Sequence, residues 1–261
     1  MKTRNICLII STQLWVLFGI VFMISVYSQE PWQTVDVWSA IVKEGNIDIV
    51  KKSLEKGLDP NAIGPSGYPL LQVAVAQNNI QIVKLFLEHG AELKKPGCEW
   101  LVKTAIDNGN NEMTILLIDT GAVVSKPKYY CCMWDDPLVT ATGKENVEIV
   151  LYLLNKGANV NSEGLGLRCP LDQAAAIGNL ELMKVLLEAG ADINHRDAFG
   201  KTPLMYACER GKYASVEFLL SKSADLNLKD SYQRTAEFFA SNSNNPDKEK
   251  ILKILKEKKG K

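Results

Sequence analysis

The chain repeats itself at an interval of about 33 residues, and that periodicity limits its fold more than any other feature. Gly-Ala pairs recur at Gly90-Ala91, Gly121-Ala122, Gly157-Ala158 and Gly190-Ala191, with Gly57-Leu58 and Ser223-Ala224 extending the series. Their spacings are 33, 31, 36, 33 and 33 residues. A second marker, Ala74, Ala105, Ala141, Ala174 and Ala207, keeps the same step at 31, 36, 33 and 33. Two independent markers in one register exclude coincidence. They imply a stack of supersecondary units, none of which buries its apolar face alone.

Each unit has the same internal grammar, clearest from Phe199 onward. Thr202 is placed to cap a short helix and Pro203 to occupy its first turn. Gly211 closes that helix. Val216-Glu217-Phe218-Leu219-Leu220 is the apolar stripe of a second, longer helix. Ala224-Asp225-Leu226-Asn227 then leads out through an extended finger to the next turn.

These residues resemble the ankyrin-repeat family, whose units open on Gly-x-Thr-Pro-Leu-His-x-Ala and finish on Gly-Ala-Asp-x-Asn. The matching stretches include Cys169-Pro170-Leu171-Asp172-Gln173-Ala174, Asp136-Pro137-Leu138-Val139-Thr140-Ala141, Gly190-Ala191-Asp192-Ile193-Asn194 and Gly157-Ala158-Asn159-Val160-Asn161. The resemblance covers residues 34 to 258. It implies an all-α ankyrin-repeat solenoid of six to seven helix-turn-helix units with short β-like finger loops, spanning residues 29–261. The family's histidine is absent throughout: Gln72, Lys103, Val139, Asp172 and Met205 stand in its slot. The third unit is poor, with Trp100-Leu101 in the Thr-Pro slots, so irregular geometry is expected between Lys94 and Pro137.

Terminal units of a stack need a polar outer face. Lys43, Glu44, Lys51, Lys52, Glu55 and Lys56 supply one in the first unit. At the other end, residues 241–261 read as a capping helix starting at Pro246, with Asn245 as its cap and Ile251, Leu252, Ile254 and Leu255 on its inner side. Lys256, Lys258 and Lys259 suit its C-terminal dipole.

The N-terminus reads differently. Lys2 and Arg4 precede an uncharged run from Ile6 to Val26. Residues 1–28 have the pattern of a secretory signal peptide with cleavage after Ser28, which places the protein outside the cytoplasm, in a bacterial periplasm or secreted. The alternatives are an uncleaved anchor through residues 6–26, with membrane contact only there, and a buried helix of a cytosolic protein.

The 30 basic and 30 acidic residues leave no cationic excess for phosphates, so nucleic acid is excluded as a general partner. His89 and His195 are the only imidazoles, and neither has a second His four residues on. Gly164-Leu165-Gly166-Leu167-Arg168 lacks the end of a phosphate loop and reads as a finger turn. No catalytic residue, cofactor or metal site is therefore assigned, and the protein is expected not to be an enzyme.

Cys98, Cys131, Cys132 and Cys169 fall at or near finger ends of neighbouring units and are disulfide candidates in an oxidising compartment, while Cys208 occupies a small-residue slot. Sequence leaves their connectivity open. Tyr129, Tyr130 and Trp134 lie in the inserted segment behind the 36-residue spacing. They either anchor a partner or fill a gap beside the weak third unit.

In ankyrin-like proteins partners meet the finger tips and the exposed side of the first helix. Carried onto this chain, that row is Tyr68 and Gln77, then Glu99, Asp107 and Asn108, then Asp135 and Lys144. It continues through Arg168 and Ile177 to Phe199, Lys201, Glu209 and Arg210. Its mixed charge suits a protein partner. The expected function is a monomeric, exported, non-enzymatic protein-interaction module. The alternative is an exported redox- or stress-protective protein working through its finger cysteines.

Overall fold

The structure, a computed structural model, describes residues 31–41, 45–96, 98–125 and 136–260. The proposed signal segment, Lys43, Glu44 and the insertion around Tyr129 to Asp135 lie outside the described residues.

The described residues form helix pairs in two compact units, divided after Cys98. In the first unit, α1 (Pro31–Ser39) packs on α2 (Ile47–Glu55), and α3 (Leu70–Ala76) packs on α4 (Ile80–Glu88). The first helix of one pair meets the first of the other (α1 with α3) and the second meets the second (α2 with α4). The second unit continues the scheme through five pairs. They are α5 (Leu101–Asp107) with α6 (Asn111–Asp119), α7 (Pro137–Gly143) with α8 (Val147–Asn155), and α9 (Pro170–Ile177) with α10 (Leu180–Glu188). α11 (Pro203–Glu209) with α12 (Tyr213–Ser221) and α13 (Ala236–Ser241) with α14 (Lys248–Lys259) complete the set. No strand occurs among the described residues; the one bridge outside the helices pairs Ile63 with Pro69. The fold is thus the all-α ankyrin-repeat solenoid expected from the repeats.

Two asparagine ladders explain why the step is regular. Asn46, Asn79, Asn110, Asn146 and Asn179 each cap a long helix by accepting a backbone N–H from its first turn. In the fingers, the finishing Asn of one repeat reaches into the next. Asn61 accepts the N–H of Glu92 at 2.7 Å, Asn161 that of Asp192 at 2.8 Å, and Asn194 that of Asp225 at 2.9 Å. A backbone donor that would otherwise be orphaned in a turn is satisfied, and the satisfaction fixes register.

Burial follows the repeated Ala. Ala74, Ala105, Ala174, Ala207 and Ala240 are fully buried, as is Ala141. Their small side chains let neighbouring short helices approach. Long-helix side chains such as Ile82, Met113, Leu153, Leu186 and Leu219 complete the apolar layers and have no exposed surface. Removing such area from water is the main stabilising term.

Two expectations are corrected. The third unit is not irregular over its helices: α5 and α6 have the lengths of their counterparts, although Trp100 gives α5 no side-chain cap. Its buried Leu101, Val102, Ala105 and Met113 carry the helix pair without a Thr-Pro start. The capping helix begins at Lys248, two residues later than Pro246. Asn245 instead holds the turn before it, accepting the N–H of Asp247 at 2.9 Å. Its side chain also sits over Gly211, where a Cβ would lie 2.1 Å from it. Gly211 has φ +65, so this contact requires glycine on both counts. Among the described residues the outer faces are polar as expected: Lys51, Lys52, Glu55 and Lys56 are exposed, while α14 buries Ile251 and Leu255, half-buries Lys248 and exposes its other lysines.

Candidate functional site

The first-helix face of the second unit carries a cleft of about 380 Å³ lined by Asp107, Val139, Thr140, Gly143, Lys144, Arg168 and Gln173. Its walls come from the C-terminal turns of α5 and α7, the finger before α9, and α9 itself. Asp107 is paired with Lys103 at 2.5 Å, and Lys144 donates to the Asp107 carbonyl oxygen at 3.4 Å. Gly143 leaves room for the neighbouring amide: a Cβ there would stand 3.3 Å from Gln173 Nε2. The cleft is polar, with an acid, two cations and an amide around a small apolar patch.

Beyond Arg168, cations and rings alternate. Arg168 lies 5.8 Å from the Tyr206 ring centre, and Lys201 bridges Tyr206 at 4.4 Å and Phe239 at 4.6 Å. Arg234 follows over Phe239 at 4.9 Å and Tyr232 at 4.8 Å. Such contacts desolvate and fix the cations, which lowers the entropy lost when a partner docks. The finger turns hold this row in place. Asp197 accepts the N–H groups of Phe199 and Lys201 and the Tyr206 hydroxyl, the last at 2.5 Å. Asp230 repeats the motif with Tyr232 and Arg234. Burial first, then the Asp197 hydrogen bond, pushes the Tyr206 phenol well above its ordinary value, so it stays a neutral donor.

The residues carried over by resemblance land unevenly. Asp107, Lys144 and Arg168 converge on the cleft. Asn108, Glu209 and Arg210 are exposed at the ends of their short helices, and Ile177 is half-buried at the end of α9. Phe199 is an exposed finger tip. In the first unit, Tyr68 and Gln77 are exposed on a finger and at the end of α3. Glu99 is half-buried. Lys201 is less available than expected: its side chain is only 12% exposed and its charge is met by Glu209 at 2.7 Å. Tyr129, Tyr130, Trp134 and Asp135 lie outside the described residues.

From the fourth unit on, sequence reasoning missed the slot immediately before the repeated Ala. It holds Thr140, Gln173, Tyr206 and, before Ala240, Phe239. These residues build the cleft and the cation–ring row, and the repeat register was the signal that could have found them.

A second cluster lies deeper. Cys169 and Asp172 form a reciprocal capping box at the start of α9, and His195 Nδ1 lies 2.7 Å from Asp172 Oδ2. The pairing with Asp172 raises the His195 pKa above its ordinary value. Cys169, a disulfide candidate by sequence, is a free thiol with no exposed surface, and Cys208 is likewise free and buried. Burial pushes the Cys208 thiol up to about 12 and raises Cys169 further. Neither is an attacking thiolate. Cys98 is buried, and Cys131 and Cys132 lie outside the described residues. Among the described residues, no helix is long and apolar enough to cross a membrane.

The family model for ankyrin repeats (three copies) matches residues 38–128, 124–197 and 171–261. The chain is 29% identical over 168 residues to the potassium channel AKT1 of Arabidopsis thaliana, covering 52% of this chain and 19% of that protein. It is 32% identical over 60 residues to ankyrin repeat-containing protein P1E11.10 of Schizosaccharomyces pombe, covering 23% and 28%. It is 29% identical over 127 residues to the fowlpox virus ankyrin repeat protein FPV018, covering 48% and 17%. The chain thus spans less than a third of the length of these curated relatives. Ankyrin-repeat domains are in general non-catalytic protein-binding modules, and no enzyme family is indicated. From the repeat step, the paired helices and this match over nearly every unit, the chain belongs to the ankyrin-repeat family.

Proposed function

We propose that this ankyrin-repeat module binds a protein partner through the first-helix face of its second unit, with the Asp107–Lys144–Arg168 cleft as the recognition point. The observation that carries the reading is the convergence of Asp107, Lys144, Arg168 and Gln173 around one open cleft beside a row of ring-stacked cations. Polar groups of both signs in a shaped recess favour a specific protein over a polyanion. The partner should offer a segment with at least one carboxylate for Arg168 and Lys144 and a donor for Asp107.

The reading includes export. Its support is the charged start and the uncharged run from Ile6 to Val26. Intact mass of protein from the native host decides this part: a chain beginning at Gln29 supports it, and a chain retaining Met1 or Lys2 removes the cleaved form.

Site-directed photo-crosslinking in the native host tests the surface. A photoreactive residue at Lys144 should give a discrete protein adduct. The same residue at Lys184, exposed on α10, should give none. Adducts at Lys184 alone, or at neither position, would remove this face as the binding surface.

A further inference from the structure

Cys169, Asp172 and His195 are not among the residues lining the cleft, yet they meet inside the second unit. One ligand atom from each lies within 4.8 Å of the others. Cys169 and Asp172 have no exposed surface, and His195 keeps its side chain 12% exposed at the finger edge. We propose that these three side chains form a binding site for a thiophilic divalent transition-metal ion of the zinc class.

Three observations carry this inference. The first is the donor set. A thiolate, an imidazole and a carboxylate are the three side-chain ligands of zinc, bound at about 2.0–2.3 Å. Ligand atoms around a tetrahedral ion then stand roughly 3.3–3.8 Å apart by that geometry, and the three side chains already hold theirs within 4.8 Å of one another.

The second is an orphaned acceptor. Asp172 Oδ2 is occupied, taking the Cys169 N–H at 2.9 Å and His195 Nδ1 at 2.7 Å. Asp172 Oδ1 is buried and has no hydrogen-bond partner. An unsatisfied carboxylate oxygen without surface is costly, and a cation beside it satisfies it.

The third is what the fold does without a thiol. The same cap at the next short helix is made by Thr202, whose hydroxyl accepts the Met205 N–H at 3.3 Å. Asp136 caps the preceding one by accepting the Leu138 N–H at 3.0 Å. Neither neighbouring unit places an acid in the adjoining slot, which holds Val139 and Met205. Capping therefore calls for neither Cys169 nor the buried Asp172, and the combination is peculiar to this repeat among the described residues.

The step balances simply. The ion forms bonds to Cys169 Sγ, Asp172 Oδ1 and a His195 ring nitrogen, with solvent at the finger edge as fourth ligand. The Cys169 S–H bond breaks and its proton leaves to water. A second proton leaves if the imidazole starts as imidazolium. No oxidation occurs, and the two positive charges are matched by thiolate and carboxylate. Binding would tie α9 to the following finger and stiffen that repeat step.

The test uses full-length protein, stripped with a chelator under reducing conditions and titrated with Co²⁺, then with Zn²⁺ in competition. The proposal predicts one Co²⁺ per chain with a sulfur-to-metal charge-transfer band, displaced by Zn²⁺. Cys169→Thr restores the hydroxyl cap used at Thr202, so it should keep helicity and lose the band. His195→Gln, at the finger edge, should weaken Co²⁺ binding by about tenfold or more and serves if Cys169→Thr fails to fold. No bound Co²⁺ in the wild type overturns the proposal. So does an undiminished band in Cys169→Thr, or unchanged affinity in His195→Gln, either of which would place the ion elsewhere in the chain.

Discussion

Single carboxylates do much of the local organisation. Asp136 caps α7 and also accepts the Ser162 hydroxyl at 3.0 Å, all of it buried. Asp136→Ala removes the cap and leaves that hydroxyl unpaired, which should cost about 1–3 kcal/mol, read as a shift in the urea midpoint at unchanged slope. Asp230 makes the pH prediction. Burial pushes its carboxyl up, but the Arg234 guanidinium at 2.6 Å, with the N–H groups of Arg234 and Tyr232, outweighs this and holds it below the ordinary value. A depressed folded pKa contributes stability above the unfolded value of about 3.9 and loses it as pH falls through the lower, folded value. Asp230→Asn should therefore lower the melting temperature near neutrality and flatten its fall below about pH 4; parallel acid profiles of the two proteins would contradict the pairing. Thr202 as a helix-starting residue was legible in the sequence, because capping is chemistry local to four residues. The Asp172–His195 contact was not, because it joins residues 23 positions apart across a finger.

At the scale of elements, helix pairs are short and gain their stability from neighbours. Long helices of nine residues are too short to persist alone. Leu153 of α8 is fully buried, so Leu153→Ala should cost about 2–5 kcal/mol, whereas Lys258→Ala on the exposed side of α14 should change stability by less than about 0.5 kcal/mol. Thermal or urea unfolding of the two variants checks the contrast. Pair boundaries were readable from Gly-Ala and Ala markers because both serve the backbone: glycine turns the chain and alanine lets short helices approach. The expected irregularity of the third unit did not hold over its helices. Trp100-Leu101 departs from the family start, yet α5 forms, since its buried face and its neighbours α6 and α7 decide the matter. Tertiary packing overrides a weak local start signal.

For the molecule as a whole, function depends on which side chains the repeat step brings into line. Of the row expected at helix ends and finger tips, Asp107, Lys144 and Arg168 do converge. Thr140, Gln173, Tyr206 and Phe239 were not legible, because the slot before the repeated Ala looks like ordinary helix interior until the helices are stacked. Lys201 shows the opposite failure: an exposed position by pattern is covered by two rings and neutralised by Glu209. Under the proposed function, a protein partner is recognised at the cleft. The measurement that tests it most directly is the affinity of the photo-crosslinked partner for wild type and for a Lys144→Glu/Arg168→Glu double variant of matching helicity. A loss of about tenfold or more, of the size expected when central charged contacts are reversed, is the predicted result; equal affinity for the two proteins would contradict the assignment of this face.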